Sequence, residues 1–143
     1  MNKKAFAFLS VSVLIVALAV PSFAQSLRLT ANVPFEFTVG SRTLPAGDYS
    51  IRTGVNQAIV QVQGFEAHTG ALSLSWRVDV KDEDPAAATK LVFNRYGDKY
   101  FLSEVSDGYE SIAMKLPVSH TQRELANTAS IQTPELVAVL AWR

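Results

Sequence analysis

From Leu27 to Val39 every odd position is apolar: Leu27, Leu29, Ala31, Val33, Phe35, Phe37 and Val39. The even positions are Arg28, Thr30, Asn32, Pro34, Glu36 and Thr38. Side chains of an extended chain alternate between faces, so a two-residue period of this length specifies a half-buried strand, or two strands in line. Pro34 lies on the polar side and has no N–H, which predicts an edge or a bend there. The same beat returns in Tyr49, Ile51 and Thr53, and in Val60 and Val62 set against Gln61 and Gln63. It is cleanest where Leu72, Leu74, Trp76, Val78 and Val80 alternate with Ser73, Ser75, Arg77, Asp79 and Lys81.

Reversal signals separate these runs. Leu44-Pro45-Ala46-Gly47 suits a type I turn, because proline presets φ at its first corner. Gly54-Val55-Asn56 reads as the next reversal, and Gly64 to Gly70 as a loop. Gly97-Asp98 between Leu91–Tyr96 and Lys99–Val105 is a two-residue hairpin signal of the primed type. Asp107-Gly108 is a further turn before a strand over Tyr109–Leu116. One segment breaks the rhythm: Val118–Ala129 is polar, offers Ser119 or Thr121 as an N-cap, and carries Gln122 or Glu124 three residues later. It predicts one short surface helix. Residues 135–142 are apolar on both faces, which fits a strand buried on both sides or the end of a helix, and Val137 and Val139 favour the strand. Seven to nine short strands with turns between them define an all-β domain, an antiparallel β-sandwich or small β-barrel, with one short helix near the C-terminus.

The first 24 residues follow a different rule. Lys3 and Lys4 precede an uncharged, largely apolar run from Ala5 to Val20, closed by Pro21-Ser22-Phe23-Ala24. A charged start, an apolar middle and a small-x-small stop form a secretory signal peptide, with cleavage expected between Ala24 and Gln25. The run is short for a membrane span, which needs about 20 residues, and Pro21 breaks a helix where the cut requires an extended chain. The expected product is a single domain over residues 25–143, exported to the periplasm or the extracellular space.

Without Lys3 and Lys4, the 13 basic residues fall to 11 against 13 acidic ones, a formal charge of −2. That balance argues against nucleic acid and against anionic lipid surfaces, both of which call for a basic stripe. The chain has no cysteine. Disulfides, thiolate metal sites and thiol catalysis are therefore closed to it, and stability has to come from burial and strand pairing.

Little in the chain resembles a reaction centre. His68 lies in a loop, and His120 near the start of the expected helix, four residues before Glu124. A small hydrolase would need one of them beside a nucleophile or carboxylate, yet no nucleophile elbow, paired-histidine motif or phosphate loop is present. Asp79, Asp82, Glu83 and Asp84 supply carboxylates without the alternating order and glycine of a calcium loop, so a solvated acidic loop is the plainer reading. No catalytic residue, metal site or cofactor is assigned. Arg95, Tyr96, Lys99 and Tyr100 crowd the Gly97-Asp98 hairpin. Aromatic rings beside cations suit a glycan or a peptide, and cross-strand packing explains the same residues equally well.

Several stretches are also similar to known sequences. Ala31-Asn32-Val33-Pro34-Phe35-Glu36-Phe37-Thr38-Val39-Gly40 with Leu44-Pro45-Ala46-Gly47-Asp48-Tyr49, Leu91-Val92-Phe93-Asn94-Arg95-Tyr96-Gly97-Asp98-Lys99-Tyr100-Phe101-Leu102-Ser103 and Arg123-Glu124-Leu125-Ala126 resemble a group of small, uncharacterised exported bacterial proteins. The resemblance implies export and a compact β-rich domain, and it carries no site residue. The expected function is a non-enzymatic binding or structural module of the cell envelope or extracellular space. Its expected partners are an envelope or extracellular protein, a glycan or a peptide, and the domain itself is not expected to insert in a membrane. The alternatives are a carrier holding a small apolar ligand inside a barrel, a hydrolase built on His68 or His120, and a minimal outer-membrane β-barrel.

Overall fold

A computed structural model describes residues 26–54, 57–66, 68–79, 88–108, 112–128 and 133–143. The expected signal segment and the acidic residues Asp82, Glu83 and Asp84 lie outside the described residues. In chain order the strands are β1 (Arg28–Val33), β2 (Phe37–Val39), β3 (Arg42–Leu44), β4 (Gly47–Thr53), β5 (Ile59–Gly64), β6 (Gly70–Leu74), β7 (Trp76–Asp79), β8 (Lys90–Tyr96), β9 (Lys99–Asp107) and β10 (Ile112–Lys115). Helix α1 (His120–Thr128) and strand β11 (Glu135–Leu140) follow.

Two sheets form, one ordered β1-β4-β5-β6 and the other β11-β8-β9-β10-β7. They are joined on both sides. On one side β6 runs into β7 through Ser75 alone, so one bent segment pairs first with β5 and then with β10. On the other, Thr30 in β1 and Trp142 just past β11 exchange backbone hydrogen bonds of 2.7 and 2.9 Å. The result is a curled, barrel-like all-β domain. The pairs are antiparallel except for a short parallel contact of β2 with β9. That exception follows from Pro34. β1 stops at Val33, the chain bends at Pro34–Glu36, and β2 crosses to the other sheet while Phe37 and Val39 stay on the inward face begun by Leu29.

The interior is packed with side chains from both sheets. Leu29, Val33, Ile51, Val60, Phe93 and Val105 have no accessible surface. Phe37 stands edge-on to Tyr49 and to Phe93, with ring centroids 5.1 and 5.4 Å apart. The Tyr49 hydroxyl donates to the Pro45 carbonyl at 2.6 Å, pinning the Pro-Ala-Gly turn beneath its own strand. In the β8–β9 hairpin, Gly97 has φ of +64° and Asp98 does not share the positive φ, the pattern of a type II′ turn. A register shift follows at Val92/Phe93, where the Ser103 hydroxyl donates to the Val92 carbonyl at 3.0 Å. Ser119 caps α1 by accepting the Gln122 N–H at 3.2 Å.

Two expectations need correction. The cleanest alternation does form a strand, but its faces are reversed. Ser73 and Ser75 are buried, each 8% exposed, while Leu72, Leu74 and Trp76 point outward at 65, 69 and 49%. The β2–β3 turn lies against β6 near Gly40, where an added Cβ would sit 3.6 Å from the Leu72 carbonyl and 3.9 Å from the Ser73 side chain. The inward residues on this segment are small (Ala71, Ser73, Ser75), and the Ser75 hydroxyl donates to the Gln57 carbonyl at 2.8 Å. The second correction concerns residues 135–142. They form a strand with Val137 and Val139 packed against the core, but it is not buried on both sides, because Leu136 and Leu140 are 69 and 67% exposed.

Candidate functional site

The β8–β9 hairpin holds all four residues singled out around the turn. It pairs Arg95 with Tyr100 and Tyr96 with Lys99 across the strands. Opposed residues share a face and neighbours along a strand do not, so the four divide into two pairs on opposite sides of the hairpin. Tyr100 is half-buried at the end of the core, stacked on Phe35. The Arg95 guanidinium carbon lies 5.5 Å from the Tyr100 ring centre, its Nε donates to the Gly97 carbonyl at 2.7 Å, and its Nη1 meets Glu135 at 3.2 Å. Tyr96, also half-buried, stands edge-on to Phe101. The structure therefore brings Arg95 and Tyr100 together as packing partners and leaves Lys99 exposed on the other face with Tyr96.

Lys99 opens onto a groove where β2 meets β9. Glu36, Thr38, Thr43, Asp98, Lys99 and Thr121 are among its lining residues, and its volume is about 170 Å³. The Thr38 and Thr43 hydroxyls lie 3.2 Å apart at its wall. A second groove of about 110 Å³ runs along the Pro45–Tyr49 turn beside Phe65, Glu66 and Thr69. Burial, and behind it the Glu66 charge, pushes the Tyr49 phenol above its ordinary value, so the ring stays a neutral donor to Pro45. Both grooves are small and open.

The histidines sit apart from any nucleophile–base arrangement among the described residues. His68 is exposed, in the left-handed region at φ +74°, so its place is set by the turn. His120 Nδ1 meets Glu124 Oε1 at 3.4 Å, one helical turn on, and both side chains are mostly in solvent. No cluster of three or more metal-ligating side chains occurs among the described residues.

The outer surface carries the stronger features. On the β5–β6–β7 side, Ile59 is paired with Leu74 and Gln61 with Leu72, and Trp76 follows in line beside Lys115. Across the molecule, Leu136, Ala138, Leu140 and Trp142 form an outward row along β11. On β1 and β4, between these two rows, the outer face is polar: Arg28, Asn32, Asp48 and Arg52 point out. The sequence marks the first apolar row as a strand and favours a strand for the second, and it missed the exposure of both. Alternation marks two faces and does not say which one is covered. Small residues at Ala71, Ser73 and Ser75 were the available signal.

No protein family matches the chain, and neither a curated protein nor a solved structure does.

Proposed function

We propose that this chain is an exported, non-enzymatic module of the cell envelope or extracellular space that binds an apolar segment of a protein partner on the outward face of β5–β7. The carrying observation is the reversal of the most regular strand, which leaves Leu72, Leu74 and Trp76 contiguous in solvent beside Ile59. Soluble domains rarely leave such a patch uncovered without a partner for it. The packed interior argues against a carrier, since a ligand cavity would leave its lining side chains accessible, and those between the sheets are not. The polar outer faces of β1 and β4, and strands mostly shorter than about 9 residues, argue against a membrane barrel. His68, exposed in a turn, and His120, exposed at the start of α1, argue against hydrolysis.

A photo-crosslinking residue placed at Leu74, in cells expressing the full chain, tests this. Position 74 should yield a discrete protein adduct and position 50, outward on polar β4, should not. Equal labelling at both positions, or none at 74, would overturn the reading.

A further inference from the structure

We infer that the partner on the outward face of β5–β7 is a second copy of this chain, the two copies packing face to face about a twofold axis that crosses the strands at Leu72; this rests on the binding face proposed above. The row that makes the contact is symmetric about that point. Leu72 on β6 pairs with Gln61 on β5, and the two strands are antiparallel. Trp76 therefore lies four residues beyond Leu72 in one direction, and Phe65 four residues beyond Gln61 in the other. At about 3.3 Å per residue, each aromatic residue stands about 13 Å from the centre. Phe65 continues the line of β5, its N–H donating to the Asp48 carbonyl at 3.1 Å. Both aromatic residues are exposed, and so are Leu72, Leu74 and Ile59 between them. The outer surface of a barrel curves more strongly across its strands than along them, so two copies touch most fully along the direction of this row.

Charge selects the direction of the axis. A twofold interface must be complementary to itself, with residue i meeting j while j meets i. An axis along the strands sets each end of the row against the same end of the partner, and an axis across them sets it against the opposite end. The two ends differ in sign. Lys115 pairs with Trp76 across β7 and β10, is half-exposed, and meets Glu104 of its own chain only at 4.0 Å. Glu66 follows Phe65 and is exposed, with Asp48 on the neighbouring strand. Like ends together would set Lys115 beside the partner's Lys115 and Glu66 beside the partner's Glu66. Opposite ends together set Lys115 beside the partner's Glu66, Trp76 on the partner's Phe65, and Leu72 beside the partner's Leu72 at the axis. Leu74 then lies over the partner's Gly70, which carries no side chain to obstruct it. The exposed parts of Phe65, Ile59, Leu72, Leu74 and Trp76 come to on the order of 500 Å², near the top of what a monomer leaves uncovered. Doubled across the twofold and joined by its polar rim, this area reaches the lower end of specific interfaces, about 1,200 Å².

An interface of this size places the dissociation constant at roughly micromolar or weaker. Sedimentation of the protein purified from cells expressing the full chain should show monomer at about 1 µM and dimer at about 100 µM. Lys115→Glu and Glu66→Lys each put like charges at both ends of the interface and should weaken association about tenfold. An equimolar mixture of the two should restore dimer, because opposite charges then meet at each end again. Leu72→Lys sets two cations together at the axis and should leave only monomer at 100 µM, with the circular dichroism of wild type because the side chain is exposed. Leu136→Lys, on the far side of the molecule, should leave the dimer intact. A wild type that stays monomeric at 100 µM, single charge reversals that do not weaken association, a mixture that stays monomeric, or a dimer dissolved by Leu136→Lys would each overturn the inference. The crosslink at position 74 separates its failure from that of the binding face. An adduct of twice the chain's mass supports self-pairing, an adduct of another mass overturns self-pairing and leaves the face standing, and no adduct overturns both.

Discussion

The ring of Tyr100 lies on that of Phe35, with centroids 3.9 Å apart and planes 13° from parallel. Phe35 in turn stands edge-on to Phe93 at 5.2 Å. One of the hairpin's two tyrosines is thus already in contact with the connection that carries the chain from β1 to β2. A double-mutant cycle of Phe35→Ala and Tyr100→Ala should give a coupling of about 0.5–1.5 kcal/mol by urea denaturation. Additive effects would mean that the stacked rings do not support one another.

The reversed strand makes opposite demands on adjacent residues. Leu74→Lys exchanges one exposed side chain for another and should change stability by no more than about 0.5 kcal/mol. Ser73→Leu crowds the space under the β2–β3 turn and should cost about 1–3 kcal/mol. Thermal melts of the two variants suffice, and the reverse ranking would contradict the strand's orientation.

Tyr49 imposes a pH dependence. Burial first, and the Glu66 charge second, raise the folded phenol above its unfolded value near 10. Its contribution is therefore complete below about pH 10 and falls as pH rises from there through the folded value, because the unfolded chain releases the proton first. Tyr49→Phe should be less stable than wild type by about 1 kcal/mol at pH 8, having lost the bond to Pro45. The gap should narrow above pH 10. A gap that widens with alkali would reverse the sign of the shift.

The chain's last residue is tied to the far end of β9. Arg143 forms an ion pair with Asp107, a carboxylate only 1% exposed. Arg143→Ala should cost about 1–3 kcal/mol, and Arg143→Lys, which keeps the charge but not the fork of donors, should recover part of it. The comparison is read from urea midpoints at pH 7.

Most of the architecture was legible before any coordinates. Two-residue alternation marked the inward faces of β1, β2 and β5, and Pro34 marked the break between sheets. Gly97-Asp98 set the β8–β9 turn, and Ser119 with Gln122 set the start of α1. Periodicity could not reveal which side of β6 is covered, since the covered side is the one facing β2 and β3, which are distant in sequence. The hairpin cluster misleads for a related reason. Arg95, Tyr96, Lys99 and Tyr100 are adjacent in sequence, but the pleat sends them to two sides and packing claims the rings.

The backbone exchange between Thr30 and Trp142 joins the first described strand to the next-to-last residue. Contacts so distant along a chain form late and slow the approach to the native state. A ribosome still holding the residues around Trp142 keeps this ring from closing. The ring of strands therefore closes only when the segments around Thr30 and Trp142 are both free to meet, so its two ends enter the native state together.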